Sequence, residues 1–232
     1  MNPKKNLDEL EKKLGLTFKN KNLLFNSLIH RSYLNEHKKF FLPSNEKMEF
    51  LGDSLISLAS SLYLFSHYSY LSEGEWTDIK AASVRGETLA KVAKDLDLGK
   101  HIFLSKGQIK EGGRNNTNIL ADTFEALICA IFLDTNFEVT YLFLRKHLFK
   151  KYVDRIIKKK LYFPSKTIFQ EYTQKKYKQI PFYKLLEEKG PSHQKIFKVG
   201  LFVNGKKISD GIGKSKKEAE ENAAKIALEI FK

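Results

Sequence analysis

Hydrophobic periodicity changes once in this chain, near residue 161, and the change separates two kinds of structure. Before it, apolar residues recur at helical spacing in Leu7 to Leu14, Asn22 to Leu28, Met48 to Leu62 and Ile119 to Leu133, and no segment alternates like a strand. After it, Phe197, Val199, Leu201 and Val203 alternate with period two, and Asn204-Gly205 supplies a hairpin turn into a return strand over 206–212. A helix over Lys166 to Lys176 and a strand over Phe182 to Lys189 precede this hairpin. A last helix follows it, opened by Ser215 and Glu218 as a capping box, with Ala219, Ala223, Ile226, Ala227 and Ile230 as its buried face. The pattern predicts a multidomain chain: an all-α unit over 1–160, a linker at 161–164, and an α-β-β-β-α unit (α+β) over 165–232.

Charge points to a polyanionic partner. The chain carries a net +14, and only five of its 41 basic residues are Arg. A Lys-rich bias weakens that argument, so its distribution matters more. Residues 165–232 hold +7, the same net charge as the much longer 1–164, so the smaller unit is more than twice as basic per residue. The single cysteine, Cys129, excludes an intrachain disulfide and a Cys-based zinc site, and its apolar neighbours mark it as an inert core thiol. The N-terminus has no apolar leader. The longest apolar-rich stretch, Leu55 to Phe65, is broken by serines and falls short of the roughly 20 residues a bilayer span needs. A cytoplasmic protein with no membrane partner is expected.

Carboxylate placement carries the chemistry. Glu46, Glu49 and Asp53 stand at i, i+3 and i+7, on one narrow helix face, with Met48, Leu51, Leu55, Leu58 and Leu62 expected to form the opposite, buried face. Alone, this is equally a solvated acidic face. Asp122 and Glu125 form a second pair, at i and i+3, inside the strongly apolar run Ile119 to Leu133. Carboxylates in such surroundings are paired or bind metal, and oxygen-only donors suit a hard cation such as Mg²⁺. His30 lacks any serine or cysteine partner motif and is read as a helix end or core contact; Glu73 is either solvated loop charge or part of a cleft. Between these blocks the pattern predicts a helix from Asp78 through Leu98 ended by Gly99, a loop over Lys106 to Asn118, and a final helical pair over Asp134 to Lys160.

Four stretches carry a family resemblance. Asn45-Glu46-Lys47-Met48-Glu49-Phe50-Leu51-Gly52-Asp53-Ser54 resembles the signature of ribonuclease III. Gly112-Gly113-Arg114, continuing into Ile119-Leu120-Ala121-Asp122 and on to Leu133-Asp134, resembles its second block, and His30-Arg31-Ser32-Tyr33-Leu34-Asn35-Glu36 is also similar. Gly211-Ile212-Gly213-Lys214-Ser215-Lys216-Lys217-Glu218-Ala219-Glu220 resembles the central motif of double-stranded-RNA-binding domains. The resemblance covers nearly the whole chain and implies a homodimeric endoribonuclease. It would hydrolyse duplex RNA with Mg²⁺ (or Mn²⁺), leave 5′-phosphate and 3′-hydroxyl ends, and process ribosomal, messenger and transfer RNA precursors. Residue by residue, it implies Glu49, Asp53, Asp122 and Glu125 as metal ligands, Asp53 and Glu125 as the indispensable catalytic pair, and Glu46 and Glu73 as supporting acids. It further implies Thr167, Gln170, Glu171, Gln174, His193, Lys214, Lys216 and Lys217 as RNA contacts and Phe50 at the dimer interface. From the sequence alone Phe50 passes equally as a core residue. Cys129 and Asn118 depart from the family pattern, where glycine and serine are usual, without replacing any acidic ligand.

Two other functions are open to such a chain. A ribonuclease III fold can hold duplex RNA without cutting it, and loss of the acidic ligands would mark that case. A metal-dependent phosphoesterase can use its RNA domain only for targeting, and would then cleave single strands as well as duplexes.

Overall fold

A computed structural model describes residues 3–191 and 194–231, divided between Tyr162 and Phe163 into two compact units. Among its described residues the first is built of helices, with one isolated β-bridge between Ile29 and Phe103: α1 (Pro3–Leu14), α2 (Lys21–Ser27), α3 (Arg31–Glu36), α4 (Glu46–His67), α5 (Glu73–Ser83), α6 (Gly86–Asp95), α7 (Leu98–His101), α8 (Lys106–Lys110), α9 (Thr117–Asp134), α10 (Phe137–Leu144) and α11 (Asp154–Lys158). Its centre is α9, almost wholly apolar and buried from Ile119 to Ile131 except at Asp122 and Glu125. Helices α2, α4 and α6 pack around it, so α9 needs no polar face of its own.

Local chemistry departs from the periodic reading at several points. The helix expected from Asp78 through Leu98 is two helices. It stops at Val84, where the Ala82 carbonyl accepts the Thr88 hydroxyl at 3.0 Å in place of a continued helix bond, and α6 restarts at Gly86. The start of α5 is fixed by a capping box, Ser72 with Glu75. Gly99 is not a helix stop: Asp97 takes the left-handed conformation there (φ 56°), and Gly99 lies within α7, where a Cβ would fall 2.2 Å from the Arg114 carbonyl oxygen. The expected loop over 106–118 contains α8, capped by Ser105, and the first turn of α9, capped by Asn116. The expected pair over 134–160 is one helical run, since α10 passes through a π-helical stretch, Arg145–Val153, straight into α11. Asp134 ends α9 instead, and its carboxylate accepts the Lys19 and Asn20 backbone N–H groups at 2.9 and 2.8 Å.

On α4 the buried residues are Met48, Gly52, Leu55, Ile56, Ala59, Ser60, Tyr63 and Leu64. Leu51, Leu58 and Leu62, expected inside, are exposed, as are Phe50 and Phe65. The helix is apolar on two sides, and one faces away from its own unit.

The second unit consists of α12 (Ser165–Tyr177), an antiparallel sheet β1 (Phe182–Lys189), β2 (Ile196–Val203), β3 (Lys206–Gly213) in that order, and α13 (Lys216–Ile230). Asn204 and Gly205 both take positive φ, 51° and 72°, as a tight β2–β3 hairpin requires. The core is Phe169, Leu201, Val203, Ala223, Ala224 and Ala227. Its small residues are matched to β3: a Cβ on Gly211 would lie 2.2 Å from the Ala223 backbone nitrogen, so helix and strand approach to backbone contact. Ile226 and Ile230, expected in the buried face of α13, are exposed because that close approach buries the alanine stripe and leaves them on its flank. Ser215 caps Glu218 as predicted, but the Glu218 carboxylate closes on the Lys214 backbone N–H at 2.7 Å, one residue earlier than a capping box would.

Candidate active site

The first unit's acidic residues meet because Gly52 lets α4 lie against α9. A Cβ at Gly52 would sit 1.9 Å from the Glu125 carbonyl oxygen, a distance no side chain tolerates. Glycine inside a helix costs about 1 kcal/mol relative to alanine, and here it brings Glu49, one turn before it, against Asp122 and Glu125. Carboxylate oxygens of these three residues all lie within 4.8 Å of one another, and all three side chains are half-buried.

Like charges this close in a partly dry site resist ionisation. Burial, then Asp53, Asp122 and Glu49, push the Glu125 carboxyl up to about 8. Burial and the neighbouring acids also raise Glu49, and burial raises Asp122. Arg31 is the one cation among the charges that act on Glu49 and Asp122. Three oxygen donors with too little positive charge fit a hard divalent cation, and nitrogen or sulfur ligands are not part of the cluster.

The other expected site residues fall around this triad. Asp53, one turn further along α4, is exposed and outside the cluster, though its charge is felt by Glu125. Glu46 is exposed at the first turn of α4, accepting the Ser44 hydroxyl at 2.7 Å and lying 3.5 Å from Arg31. Glu73 begins α5, accepts the Thr77 hydroxyl at 3.2 Å, and lines a separate groove of about 400 Å³ with Leu58, Leu62, Phe65 and Trp76. Phe50 is 78% exposed, on the same outward side of α4. His30 caps α3, its Nδ1 accepting the Ser32 backbone N–H at 3.2 Å, and burial lowers its pKa. Cys129 is buried, with its thiol pushed up to about 11 by burial, and has no role as a nucleophile.

Beside Asp122 a polar cleft of about 430 Å³ opens between α3, α8 and the start of α9. Arg31, Asn35, Gln108, Asn116 and Asn118 line it with Asp122. Sequence reasoning assigned no role to Gly52 or Arg31. For Gly52 a signal exists, since a glycine in mid-helix is costly; for Arg31 the signal is its place in the family-like stretch His30 to Glu36.

In the second unit Thr167, Gln170, Glu171 and Gln174 are exposed on one face of α12, opposite the buried Phe169 and Thr173. Lys214, Lys216 and Lys217 are exposed at the start of α13, where the positive end of the helix dipole favours phosphate. His193 lies outside the described residues. Among the described residues no helix is long and apolar enough to cross a membrane.

Comparison with known proteins agrees with this division. Residues 20–152 match the family model described as ribonuclease-III-like, and residues 165–230 match the double-stranded RNA binding motif. Ribonuclease 3 of Clostridium perfringens is 43% identical over 97% of this chain and 93% of its own length. Ribonuclease 3 of Geobacillus thermodenitrificans is 41% identical over 97% and 90%. Among solved structures, the nuclease domain of ribonuclease III from Campylobacter jejuni is 35% identical with a TM-score of 0.58, covering 64% of this chain and 97% of that one.

Proposed function

The chain belongs to the ribonuclease III family and is a double-strand-specific endoribonuclease, and we propose that Glu49, Asp53, Asp122 and Glu125 hold its divalent metal, with Asp53 and Glu125 indispensable to cleavage. The observation that supports this most is the gathering of Glu49, Asp122 and Glu125 within 4.8 Å across two helices, in a setting that resists their ionisation. A structural cluster of this kind would be costly without a counter-charge. Mg²⁺, or Mn²⁺ in its place, supplies that charge and the activation of water that phosphodiester hydrolysis needs. The chain's own contribution is to fix the donors: α9 holds Asp122 and Glu125 one turn apart, and Gly52 holds α4 against them. Glu46 and Glu73 support this centre from its edge.

The second unit binds the duplex by shape. Thr167, Gln170, Glu171 and Gln174 take one minor groove, His193 reaches the next, and Lys214, Lys216 and Lys217 hold the phosphates between them. The functional domains are 1–160 and 165–232, with 161–164 as linker. One acidic centre cuts one strand, so two copies of the chain serve one duplex. The exposed Phe50, Leu58, Leu62 and Phe65 on α4 supply the apolar surface for pairing them. The C. jejuni nuclease domain is described as having a region involved in dimer formation. The products carry 5′-phosphate and 3′-hydroxyl ends, and the substrates are duplex regions of ribosomal, messenger and transfer RNA precursors in the cytoplasm.

Titration of the full chain with Mn²⁺, followed by electron paramagnetic resonance, tests the metal assignment without reference to cleavage. Glu125→Ala is expected to lower Mn²⁺ affinity at least about 10-fold, the lower end for disturbing a metal site, while duplex binding changes little. Unchanged Mn²⁺ affinity would remove Glu125 from the ligand set.

A further inference from the structure

The ion pair between Arg31 and Glu46 has no structural use that its geometry explains. Its closest atoms are 3.5 Å apart and the two side chains are 74% and 53% exposed. Pairs of this kind contribute almost nothing to stability. Glu46 is itself held by the Ser44 hydroxyl, so the pair fixes Arg31 rather than the reverse. Arg31 begins α3, directly after the buried Ile29 and the capping His30, and Asn45 N–H donates to the Ile29 carbonyl at 2.8 Å. The starts of α3 and α4 are therefore tied together, and Arg31 is aimed along the rim of the acidic triad. It lines the polar cleft beside Asp122, and its other lining groups are mainly neutral amides and a hydroxyl.

We infer that Arg31 is a phosphate-positioning residue: in the free protein Glu46 holds it at the rim of the cleft, and in the complex it holds a non-scissile phosphate of the cut strand, next to the bond being hydrolysed. The inference rests on the reading of the acidic triad as the nuclease centre. The chemistry fits on three counts. A guanidinium offers forked donors to phosphate. The weak, exposed pair with Glu46 costs little to break, so the arginine is oriented yet available. The amides of Asn35, Gln108 and Asn118 can both donate and accept, as a ribose-phosphate backbone with its 2′-hydroxyls requires. A strand lying in this cleft passes Asp122 and so reaches the triad. Arg31 also offsets the repulsion between that strand and the carboxylates it must approach.

The test is single-turnover cleavage of a long RNA duplex by the full chain with saturating Mg²⁺, for wild type, Arg31→Ala, Arg31→Lys and Glu125→Ala, with duplex affinity measured in parallel and thermal melting as a folding control. Arg31→Ala is expected to keep the melting temperature and, within about threefold, the duplex affinity, which lies mainly in the second unit. It is expected to cut at least about 10-fold more slowly, the scale of losing one charged donor near a reacting phosphate. Arg31→Lys should recover part of that loss, because the charge remains. Cleavage by Arg31→Ala within twofold of wild type, while Glu125→Ala is inactive, would overturn the role of Arg31 and leave the nuclease centre standing. A slow Arg31→Ala whose melting temperature has also fallen, with Arg31→Lys no better, would assign Arg31 a structural role and overturn it equally. Full activity in Glu125→Ala would instead remove the centre on which the inference rests.

Discussion

Replacing Gly52 with alanine perturbs the contact on which the acidic triad depends. The new methyl carbon would lie 1.9 Å from the Glu125 carbonyl oxygen and 2.5 Å from its carbon. Ordinary contact needs more than 3 Å, so α4 and α9 must part by more than an ångström. Alanine gains about 1 kcal/mol of helix propensity at this site, whereas overpacking a close helix contact costs about 1–3 kcal/mol or more. The clash falls on backbone, which cannot rotate away, so the penalty lies at the upper end and outweighs the gain. A net loss of about 2 kcal/mol lowers the melting temperature of a domain this size by roughly 4–8 °C. The effect on cleavage is larger. Glu49 rides on α4 while Asp122 and Glu125 ride on α9, so the parting displaces donors relative to each other, and a displacement near 1 Å costs about 100-fold in rate. Thermal melting in EDTA and single-turnover cleavage with Mg²⁺ read the two effects separately. A Gly52→Ala protein that melts at or above the wild-type temperature and cuts at the wild-type rate would refute the reasoning. It would mean that α4 and α9 do not set the donor geometry.

Further predictions follow from the charges and the exposed surface. With its pKa raised to about 8, metal-free folded protein keeps a proton on Glu125 that the unfolded chain releases near 4.5. The unfolded state then binds fewer protons, so this group's stabilisation is complete below about pH 4.5 and is lost as pH rises through about 8, at up to about 1.4 kcal/mol per unit. Glu125→Gln should flatten the melting curve against pH in EDTA and melt above wild type at alkaline pH; parallel curves would contradict this. Substituting Lys214, Lys216 and Lys217 together with alanine should reduce the slope of log affinity against log salt by roughly 2–3, at about 0.7–0.9 per phosphate contact, as measured by filter binding across salt concentrations. Phe50→Ala should weaken self-association by at least about 100-fold in sedimentation velocity, because the dimer loses two large buried side chains, one from each copy, at about 1.5–3 kcal/mol apiece; an unchanged association state would exclude this face of α4.

The legibility of the fold varied with the kind of information each element uses. The three-stranded sheet and its Asn204-Gly205 turn depend on neighbours in sequence, and the alternation of Phe197 to Val203 was sufficient to reveal them. The same holds for Asp122 and Glu125, which stand out because everything around them is apolar. Periodicity could not say which of two apolar sides of α4 enters its own core. Pattern alone therefore places Leu58 and Leu62 inward, whereas Gly52 is the residue that lets α9 approach, and Ala59 and Ser60 are buried with it. Ile226 and Ile230 failed for a related reason: hydrophobicity favours large side chains, but the contact with Gly211 selects the alanines of α13. The break at Val84, where the Thr88 hydroxyl takes the Ala82 carbonyl, and the left-handed Asp97, whose carboxylate pairs with Lys13, are features that hydrophobic periodicity does not display. In the site, spacing marked all four acids, but only the packing of α4 on α9 shows that Glu49 joins Asp122 and Glu125 while Asp53 stands on the rim.

The most direct measurement of the central claim is cleavage of a long, perfectly paired RNA duplex by the full chain, in Mg²⁺ and in EDTA, comparing wild type with Glu125→Ala and including a single-stranded RNA of the same sequence. Cutting confined to the duplex, abolished by EDTA and by Glu125→Ala, with duplex binding retained in both cases, is the predicted result. Duplex binding by the wild type with no cutting in Mg²⁺ or Mn²⁺, or undiminished cutting by Glu125→Ala, would contradict the assignment of the acidic triad as the nuclease centre.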